Sequence, residues 1–468
     1  MIGTLIAALA AVLLAAASSA LAAPVGGTFQ VRHVYVIVLE NESAAVTFGA
    51  GSPAPYLATT LTAKGAFLPN YYGVGHASLD NYIAMISGQA PNPSTRADCG
   101  VFADFPAGSL GSFGQEPGSG CVYPSNVATV AGQLDTAGLS WRDYSEDMGA
   151  DPTRESATCG HPVVGQPDHT EVATPTDMYA SRHNPFVYFH SIIDNAALCN
   201  SHVVNLTALP SDLARVSSTR NYTFITPNLC DDGHDATCAN GQTGGLPRAD
   251  AFLQTWVPKI TGSPAFKRDG LLIITFDEAA TSDASSCCGE IPGPAAPEPG
   301  GTGPGGGRVG AVLLSPCIKP GTVSQTAYDH YTMLGSVENI FGLSHIGYAG
   351  LPHSTYFGKD IYNRQCGPSP PEITGGGVGV NGSAGHGRVH LSVNWKVSTK
   401  GGTPLAYSEL QERLHGGWHT ILRHTQRTSY SFTGKAGQTY RFRVRAVNLA
   451  GQIGKWSPSS ISGTASPR

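Results

Sequence analysis

The stretch HVYVIVLENESAAVTFG, residues 33–49, decides the fold. Its first seven residues are mostly apolar and β-branched or aromatic, which predicts a strand that is buried on both faces. The strand is followed at once by the polar side chains of Glu40, Asn41 and Glu42. Because ligands of open α/β sheets bind where parallel strands end, Glu40 and Asn41 could hold a divalent cation through their oxygen atoms. A polar turn is the alternative.

A second strand ends in the same way. Residues 271–276, LLIITF, are followed by Asp277 and Glu278. Two buried strands that both end in oxygen ligands favour a metal site more strongly than either strand alone. Strands alternate with helical stretches here, which predicts an α/β fold, a mostly parallel sheet with helices on both faces.

A helix is predicted between these two strands. Apolar residues recur at helical spacing from Leu79 to Ile86, so Ser78 stands at a helix N-terminus. Ser78 could be an ordinary N-cap, or a nucleophile, because free N–H groups and the helix dipole favour a phosphate-bearing oxygen. Gly73 and Gly75 would let a substrate approach the backbone. This segment alone leaves both interpretations open.

Shorter segments add candidates. Residues 186–189 and 221–226 are predicted strands. His183 precedes the first, and a polar cluster containing His234 follows the second. A lone histidine is usually structural, so neither histidine decides a function alone.

Ten cysteines, an even number, fit an exported protein with up to five disulfides. None has convincing zinc-site spacing. Cys99 and Cys121 are expected to tie a surface loop, and Cys230 and Cys238 flank a short one. The adjacent Cys287 and Cys288 are poorly placed to bond to each other.

Length and composition predict two or three domains. Residues 1–23 are predicted to be a signal peptide, with an uncleaved membrane anchor as the alternative. With a net charge of −5 there is no basic footprint for nucleic acid. Residues 369–385 are predicted to be a Gly/Pro-rich linker. Residues 386–468 contain period-two stretches that predict a β-sandwich, and they resemble a fibronectin type III module.

Residues 31–366 resemble the phosphoesterase family of secreted acid phosphatases and phospholipases C, whose members share an alkaline-phosphatase-like α/β fold. In chain order the matching motifs are Glu40-Asn41-x-Ser43 with Phe48-Gly49, His76-x-Ser78-x-x-Asn81-Tyr82, His183-Asn184-Pro185-Phe186, Asp232-Gly233-His234-Asp235, Asp277-Glu278 and Tyr328-Asp329-His330. Asp80 departs from the pattern, which often has proline two residues after the nucleophile. The resemblance implies a catalytic domain over residues 24–368.

The resemblance also implies the site residues. A divalent metal ion of open identity would be held by Glu40, Asn41, Ser78, Asp277 and Glu278. Ser78 would also be the nucleophile, His183 and His234 would contact the phosphoryl oxygens, and His330 would be a further catalytic residue.

The expected function is that of a secreted, metal-dependent phosphoesterase, an acid phosphatase that hydrolyses phosphate monoesters through a phosphoserine. A phospholipase C acting on lipid headgroups is one alternative, and an adhesive secreted protein with an inactive phosphoesterase domain is another. The expected partners are a phosphate-ester substrate and no nucleic acid, and the fibronectin-like module could contact a polymer or a surface. The Pro and Arg that sulfatases need after their modified residue are absent after Ser78. The oligomeric state stays open.

Overall fold

The computed structural model describes residues 31–294, 305–352, 354–363, 371–398, 405–414, 416–448, 453–457 and 461–464. The predicted signal peptide, residues 1–23, lies outside these ranges. Within them, every helix is too short or too polar to cross a lipid bilayer.

The N-terminal unit is built on one large sheet with a separate two-stranded ribbon. Its strands are β1 His33–Leu39, β2 Ala66–Leu68, β3 Tyr71–Tyr72, β4 Trp141–Ser145, β5 Val203–Asn205, β6 Tyr222–Thr226, β7 Gly270–Phe276, β8 Ala311–Leu314, β9 Thr322–Val323 and β10 Tyr328–Asp329. The large sheet has the order β5-β4-β6-β1-β7-β8-β2-β9, and β3 pairs with β10. The central strands β4, β6, β1 and β7 run parallel, while β8 is antiparallel to its neighbours β7 and β2.

Helices connect and cover these strands. They are α1 Ala44–Thr47, α2 Thr62–Lys64, α3 Ser78–Ser87, α4 Val130–Thr136, α5 His190–Ile193, α6 Ala196–His202, α7 Leu209–Leu213, α8 Gly245–Gly262, α9 Pro264–Asp269 and α10 His330–Phe341. Short 3-10 turns lie at 95–97, 112–114, 181–183, 185–188, 206–208 and 347–350, and a π-helical turn at 56–61 leads into α2. The predicted mixed α/β fold with a mostly parallel sheet is confirmed.

The strand β1 occupies the centre of the sheet, as its composition predicts. All seven residues are buried, and β6 and β7 flank it on either side. A strand covered on both faces cannot alternate between polar and apolar residues, which is why the sequence is continuously apolar there. The carboxyl ends of β1 and β7 therefore meet at one edge, with Leu39 in register with Phe276.

One predicted strand is wrong. Residues 185–188 form a 3-10 turn, and of the predicted residues 186–189 only Phe189 makes a bridge, to Tyr123. Pro185 explains the difference, because its fixed φ and missing N–H favour the first turn of a helix over a strand.

The C-terminal unit is all β. Its strands are β11 Glu372–Gly385, β12 Arg388–Ser398, β13 Leu405–Leu414, β14 Gly417–Thr425, β15 Ser429–Lys435, β16 Thr439–Asn448 and β17 Ile461–Thr464. They form two antiparallel sheets, β11-β12-β15 and β14-β13-β16-β17. Apolar residues of both sheets, among them Trp395 and Phe442, pack into one core, as in a β-sandwich.

The first strand of this unit lies where a linker was predicted. Residues 372–385 pair with β12 along most of their length, so the sandwich begins earlier than residue 386. The many glycines of this strand suggested a linker, but Ile373 and Val378 pack against the sandwich core and hold the strand in place.

Disulfides pair most of the described cysteines. The bonds are Cys99–Cys121, Cys159–Cys199, Cys230–Cys238 and Cys287–Cys288, and Cys317 is also disulfide-bonded. The expectation that Cys287 and Cys288 do not bond to each other is wrong. Cys288 adopts a left-handed conformation with φ 66°, and this turn of the chain lets the neighbouring side chains meet.

Candidate active site

The site begins where β1 and β7 end side by side. Asn41 has a positive φ of 57°, a conformation that asparagine tolerates better than most residues. The turn directs its backbone N–H to Oδ1 of Asp277 at 2.8 Å, and its side-chain amide donates to Oε2 of Glu40 at 3.0 Å. The two carboxylate-tipped strands therefore meet, as their sequences predict.

Ser78 joins this group from the start of α3. The N-cap of α3 is Ala77, and the Ser78 side chain makes no capping bond. Its hydroxyl instead donates to Oε2 of Glu40 at 2.7 Å. The backbone N–H of Leu79 is bound by Oδ1 of Asp98 at 3.0 Å, so a carboxylate from a distant loop caps the helix. The N-cap interpretation of Ser78 is therefore wrong.

Glu278 lies beside the group and reaches it through Asn81. The Asn81 amide donates to Oε2 of Glu278 at 3.1 Å, and its carbonyl oxygen accepts from the backbone of Val74 and Gly75. Asn81 thus fixes the loop before Ser78 and the end of β7 at once. No direct hydrogen bond joins Glu278 to Glu40 among the described residues.

His183 approaches Glu40 from a 3-10 turn that packs on α3. Its Nε2 lies 3.2 Å from Oε1 of Glu40, and its ring stacks on Tyr82 with centroids 5.2 Å apart. Its Nδ1 lies 3.9 Å from Oδ2 of Asp232. Burial, followed by the charge of Arg182, holds the pKa of His183 well below its usual value.

The other two predicted histidines occupy different positions. His234 stands on the loop after β6, about half exposed, with its backbone N–H bound to Oδ1 of Asp232 at 3.0 Å. His330 is fully buried, and both ring nitrogens are engaged, by the Asp277 carbonyl at 2.6 Å and the Tyr71 hydroxyl at 3.1 Å. His330 therefore supports the backbone of Asp277, which differs from the predicted catalytic role.

The glycines before Ser78 also differ from expectation. A side chain at Gly73 would meet the Asp277 carbonyl oxygen at 2.5 Å, and one at Gly75 would meet Oδ1 of Asp80 at 2.1 Å. Internal packing thus accounts for both glycines without a substrate. Asp80 is buried against Gly75, and neither of its carboxylate oxygens has a hydrogen-bond partner among the described residues.

The donor atoms of this group fit a divalent cation. Two buried carboxylate oxygens of the proposed ligands have no hydrogen-bond partner in the described chain, Oε1 of Glu40 and Oδ2 of Asp277. Burial and neighbouring carboxylates raise the pKa of Glu40, Asp277 and Asp232 well above their usual range. A cation would remove both the missing contacts and the mutual repulsion.

The group is not collapsed into a tight carboxylate cluster. In one place among the described residues, three ligand atoms from carboxylate, imidazole or sulfur groups lie within 4.8 Å of one another. This place is formed by Cys287, Cys288 and Asp329. Because those two sulfurs form a disulfide, that set offers a single carboxylate and makes a poor metal site. At the Ser78 site the side chains of Asn41 and Ser78 both donate to Oε2 of Glu40.

Comparison with known proteins identifies the family of the chain. Residues 52–344, more than half of the chain, match the model of the Phosphoesterase family. The chain belongs to the Phosphoesterase family. The matched range includes Ser78, His183, Asp277 and Glu278, whereas Glu40 and Asn41 precede it.

Relatives of this phosphoesterase-family chain include phosphatases from fungi and bacteria. An acid phosphatase of Aspergillus fumigatus is 26% identical over 290 residues, which cover 61% of this chain and 51% of that protein. A phosphate-repressible acid phosphatase of Penicillium chrysogenum is 26% identical over 290 residues, 61% of this chain and 54% of that protein. A phosphatidylinositol-3-phosphatase of Mycobacterium tuberculosis is 27% identical over 317 residues, 68% of this chain and 79% of that protein. The chain thus spans about half the length of the two fungal relatives.

Arg182 lies near the residues of the site and was not predicted from the sequence as part of it. It lies beside His183, and its side chain is only 14% exposed. Its Nη1 donates to the backbone oxygen of Glu171 at 3.0 Å and lies 3.5 Å from the Glu171 carboxylate. Its Nε and Nη2 make no hydrogen bond to the described residues. The charges of Glu171, Asp98, Glu40 and Asp232 raise its pKa.

Arg182 is thus a buried cation that faces several carboxylates of the site without pairing directly to most of them. The sequence offers one signal for it, its position next to His183, and that signal is too weak to select one arginine among many.

Proposed function

We propose that this protein is a secreted, metal-dependent phosphoesterase that hydrolyses phosphate monoesters through a phosphoserine formed on Ser78, an acid phosphatase in its chemistry. The observation that carries the proposal is the contact between the Ser78 hydroxyl and Oε2 of Glu40 at 2.7 Å. The Ser78 hydroxyl thus lies at the start of α3, against a carboxylate whose other oxygen, Oε1, is buried without a hydrogen-bond partner in the described chain.

Glu40, Asn41, Ser78 and Asp277 would hold the metal ion, with Glu278 beside them. When bound, a divalent cation would lower the pKa of the serine hydroxyl and offset negative charge on the phosphoryl group. Ser78 attacks phosphorus as its proton passes toward Glu40, and the bond from phosphorus to the leaving alcohol breaks. Water then hydrolyses the phosphoserine, which releases inorganic phosphate and restores the hydroxyl.

The histidines serve the phosphoryl group in this scheme. His183, stacked on Tyr82, contacts a phosphoryl oxygen. His234, on the exposed side of the site, contacts an oxygen or protonates the leaving alcohol. His330 keeps the Asp277 backbone in place.

The direct test is turnover of an aryl phosphate monoester with and without a chelator. We expect release of inorganic phosphate that the chelator abolishes and an added divalent cation restores. Parallel assays use an aryl phosphate diester and a phosphatidylcholine emulsion, which a phospholipase C would prefer. Absence of monoester turnover in metal-supplemented protein would contradict the proposal.

A phosphoinositide monoester is a second candidate substrate. The mycobacterial relative, which aligns over 79% of its own length, is a phosphatidylinositol-3-phosphatase. Its reaction also cleaves a phosphate monoester, so the same site residues would act. Turnover of a water-soluble phosphatidylinositol 3-phosphate compared with the aryl phosphate distinguishes the two substrates.

Arg182 completes the proposed phosphate site. Its Nη1 is held by Glu171, which leaves the remaining donors of the guanidinium to bind two phosphoryl oxygens. We expect Arg182→Gln to lower kcat/KM for the monoester by about 10²–10³-fold, and to weaken inhibition by inorganic phosphate. Because a diester carries less charge on its phosphoryl oxygens, its turnover should fall less.

A matched control is Arg142→Gln. Arg142 is also largely buried and paired, with Nη1 lying 2.7 Å from Oδ2 of Asp212 and Nη2 donating to the Ser201 carbonyl. Neither partner belongs to the loop that holds Arg182. We expect the control to retain phosphate inhibition. Unchanged phosphate inhibition in an active Arg182→Gln enzyme would rule out this role for Arg182 and leave the reaction itself standing.

A further inference from the structure

The two parts of the chain carry opposite charge. Residues 371–468 contain twelve Lys and Arg and three acidic residues, whereas residues 1–370 contain sixteen Lys and Arg and thirty acidic residues. The net charge of −5 is therefore the sum of a basic C-terminal part, which contains the sandwich, and an acidic N-terminal part. Such asymmetry indicates that the basic part has an oppositely charged partner.

Four of the twelve basic residues lie together on one outer face of the sandwich. In the β13–β16 pair, Gln411 lies opposite Arg443 and Glu409 opposite Arg445. The intervening residues, Leu410 and Val444, are buried in the core. Because side chains alternate across a strand, the odd-numbered positions of both strands face outward.

Two further arginines extend this face. Arg413 lies opposite Trp418 of β14, and Arg441 follows in the outward series of β16. Both arginines are exposed. We define the arginine face as Arg413, Arg441, Arg443 and Arg445 together with Trp418 and Trp456. Glu409 is the acidic side chain that interrupts it, and its carboxylate accepts from Nε of Arg445. Arg441 and Arg413 carry no such pair in the described residues.

Stacking holds part of the arginine face rigid. The guanidinium of Arg443 lies 4.5 Å from the ring centre of Trp418 and 4.4 Å from that of Trp456, and Arg445 lies 4.6 Å from Trp456. The Nε of Arg443 donates to Gln411 at 2.8 Å. These contacts fix the guanidinium planes before any ligand arrives, which lowers the entropy cost of binding.

We propose that the arginine face binds a linear acidic polysaccharide. Arg441, Arg443 and Arg445 are outward neighbours on one strand, so they repeat at about 7 Å. A row of guanidinium forks can pair with successive carboxylates or sulfates along an extended chain. Binding there would keep the catalytic unit close to a charged polymer without involving the Ser78 site.

Other anionic partners fit less well. A lipid surface would favour large apolar side chains that protrude, and in the described part of the sandwich only Leu414 and Ile453 are large, apolar and exposed. Single-stranded nucleic acid would favour free aromatic faces for stacking bases. Trp418 and Trp456 are both in contact with arginines instead.

The test measures binding of the full chain to immobilised alginate over a series of salt concentrations. The face variant is Arg413→Glu with Arg441→Glu, and the matched control is Arg388→Glu with Lys435→Glu. The control residues are exposed, lie opposite each other on the other sheet and undergo the same change of charge. We expect the wild type to bind more weakly as salt rises. The affinity of the face variant should fall by at least about tenfold, and the affinity of the control should stay within about twofold of that of the wild type.

Each other result overturns the proposal. Equal loss in both variants would mean that net charge alone drives binding. If the wild type binds single-stranded DNA or phosphatidylglycerol vesicles more tightly than alginate, the proposed ligand class is wrong. If the wild type shows no salt-sensitive binding to alginate, the arginine face is not a binding surface for acidic polysaccharide. Melting curves verify that both variants are folded, so the outcome does not depend on the proposed catalytic function.

Discussion

Replacing Ser78 with alanine is expected to lower turnover of a phosphate monoester by about four to six orders of magnitude, as removal of a serine nucleophile does in other hydrolases. The protein should remain folded and retain metal. An ordinary N-cap serine would instead cost about 1 kcal/mol of stability and leave turnover intact. In this structure the cap role is filled by others, since Ala77 is the N-cap and Asp98 accepts the N–H of Leu79.

Ser87→Ala is the matched control for this change. Ser87 ends the same helix, is buried, and donates its hydroxyl to the Ile83 carbonyl at 2.7 Å. The control removes a buried serine hydroxyl from α3 without touching the site, so near-normal turnover is expected. A similar loss of activity in both variants would point to damage to the helix instead of a lost nucleophile.

Single-turnover trapping gives the direct evidence. The enzyme is mixed with a labelled phosphate ester, quenched at low pH and digested, and the labelled peptide is sequenced. Label on the peptide that contains Ser78 is the expected result, and Ser78→Thr should retain part of it because the hydroxyl survives. Label on another peptide, or an alanine variant with near-normal turnover, would rule out Ser78 as the nucleophile.

The residues that the structure brings together as the sequence predicts are those whose positions follow from a local rule. Glu40 and Asp277 each come directly after a continuously apolar strand, and parallel neighbouring strands must end at the same edge. Ser78 precedes a clear helical period. These predictions need only the strand or helix next to the residue and the direction in which the chain runs.

Residues that reach the site from distant loops could not be predicted in this way. Asp98 caps α3 from a loop that the Cys99–Cys121 bond anchors, and Arg182 is held by Glu171. Neither residue belongs to a periodic pattern, so only the folded chain brings each one beside α3 or Glu40. The sequence also could not predict the contacts of His330, whose two ring nitrogens are engaged by the Tyr71 hydroxyl and the Asp277 carbonyl.

Asp277→Asn is expected to leave a folded protein that binds little metal and has lost nearly all turnover. The two oxygens of Asp277 have different environments. Oδ1 accepts the backbone N–H groups of Asn41 and Glu278 at 2.8 and 2.6 Å, whereas Oδ2 is buried without a hydrogen-bond partner in the described chain. Asparagine keeps one carbonyl oxygen for the backbone groups and removes the anionic donor. Alanine would remove both, and the Asn41 turn would lose its support.

Asp143→Asn separates metal loss from general damage. Asp143 on β4 is equally buried, its Oδ2 accepts the Ser145 hydroxyl at 2.8 Å, and its Oδ1 has no hydrogen-bond partner in the described chain. Asparagine can therefore keep the one hydrogen bond, as it can keep those at Asp277. Bound metal, turnover and the rise in Tm on adding metal are measured for both variants. The control should keep its bound metal, its turnover and its rise in Tm, because its substitution leaves the proposed metal ligands in place. The rise in Tm reports metal binding because a ligand that binds only the folded state raises Tm.

In chelator, Asp277→Asn should melt no lower than the chelated wild type, since the neutral amide removes repulsion between Asp277 and the buried carboxylates of Glu278 and Glu40. Asp277 could instead serve only its backbone partners, as a structural turn residue. The asparagine variant would then keep stoichiometric metal, a metal-dependent Tm and most of its rate. That result would contradict the proposal that Asp277 is a metal ligand.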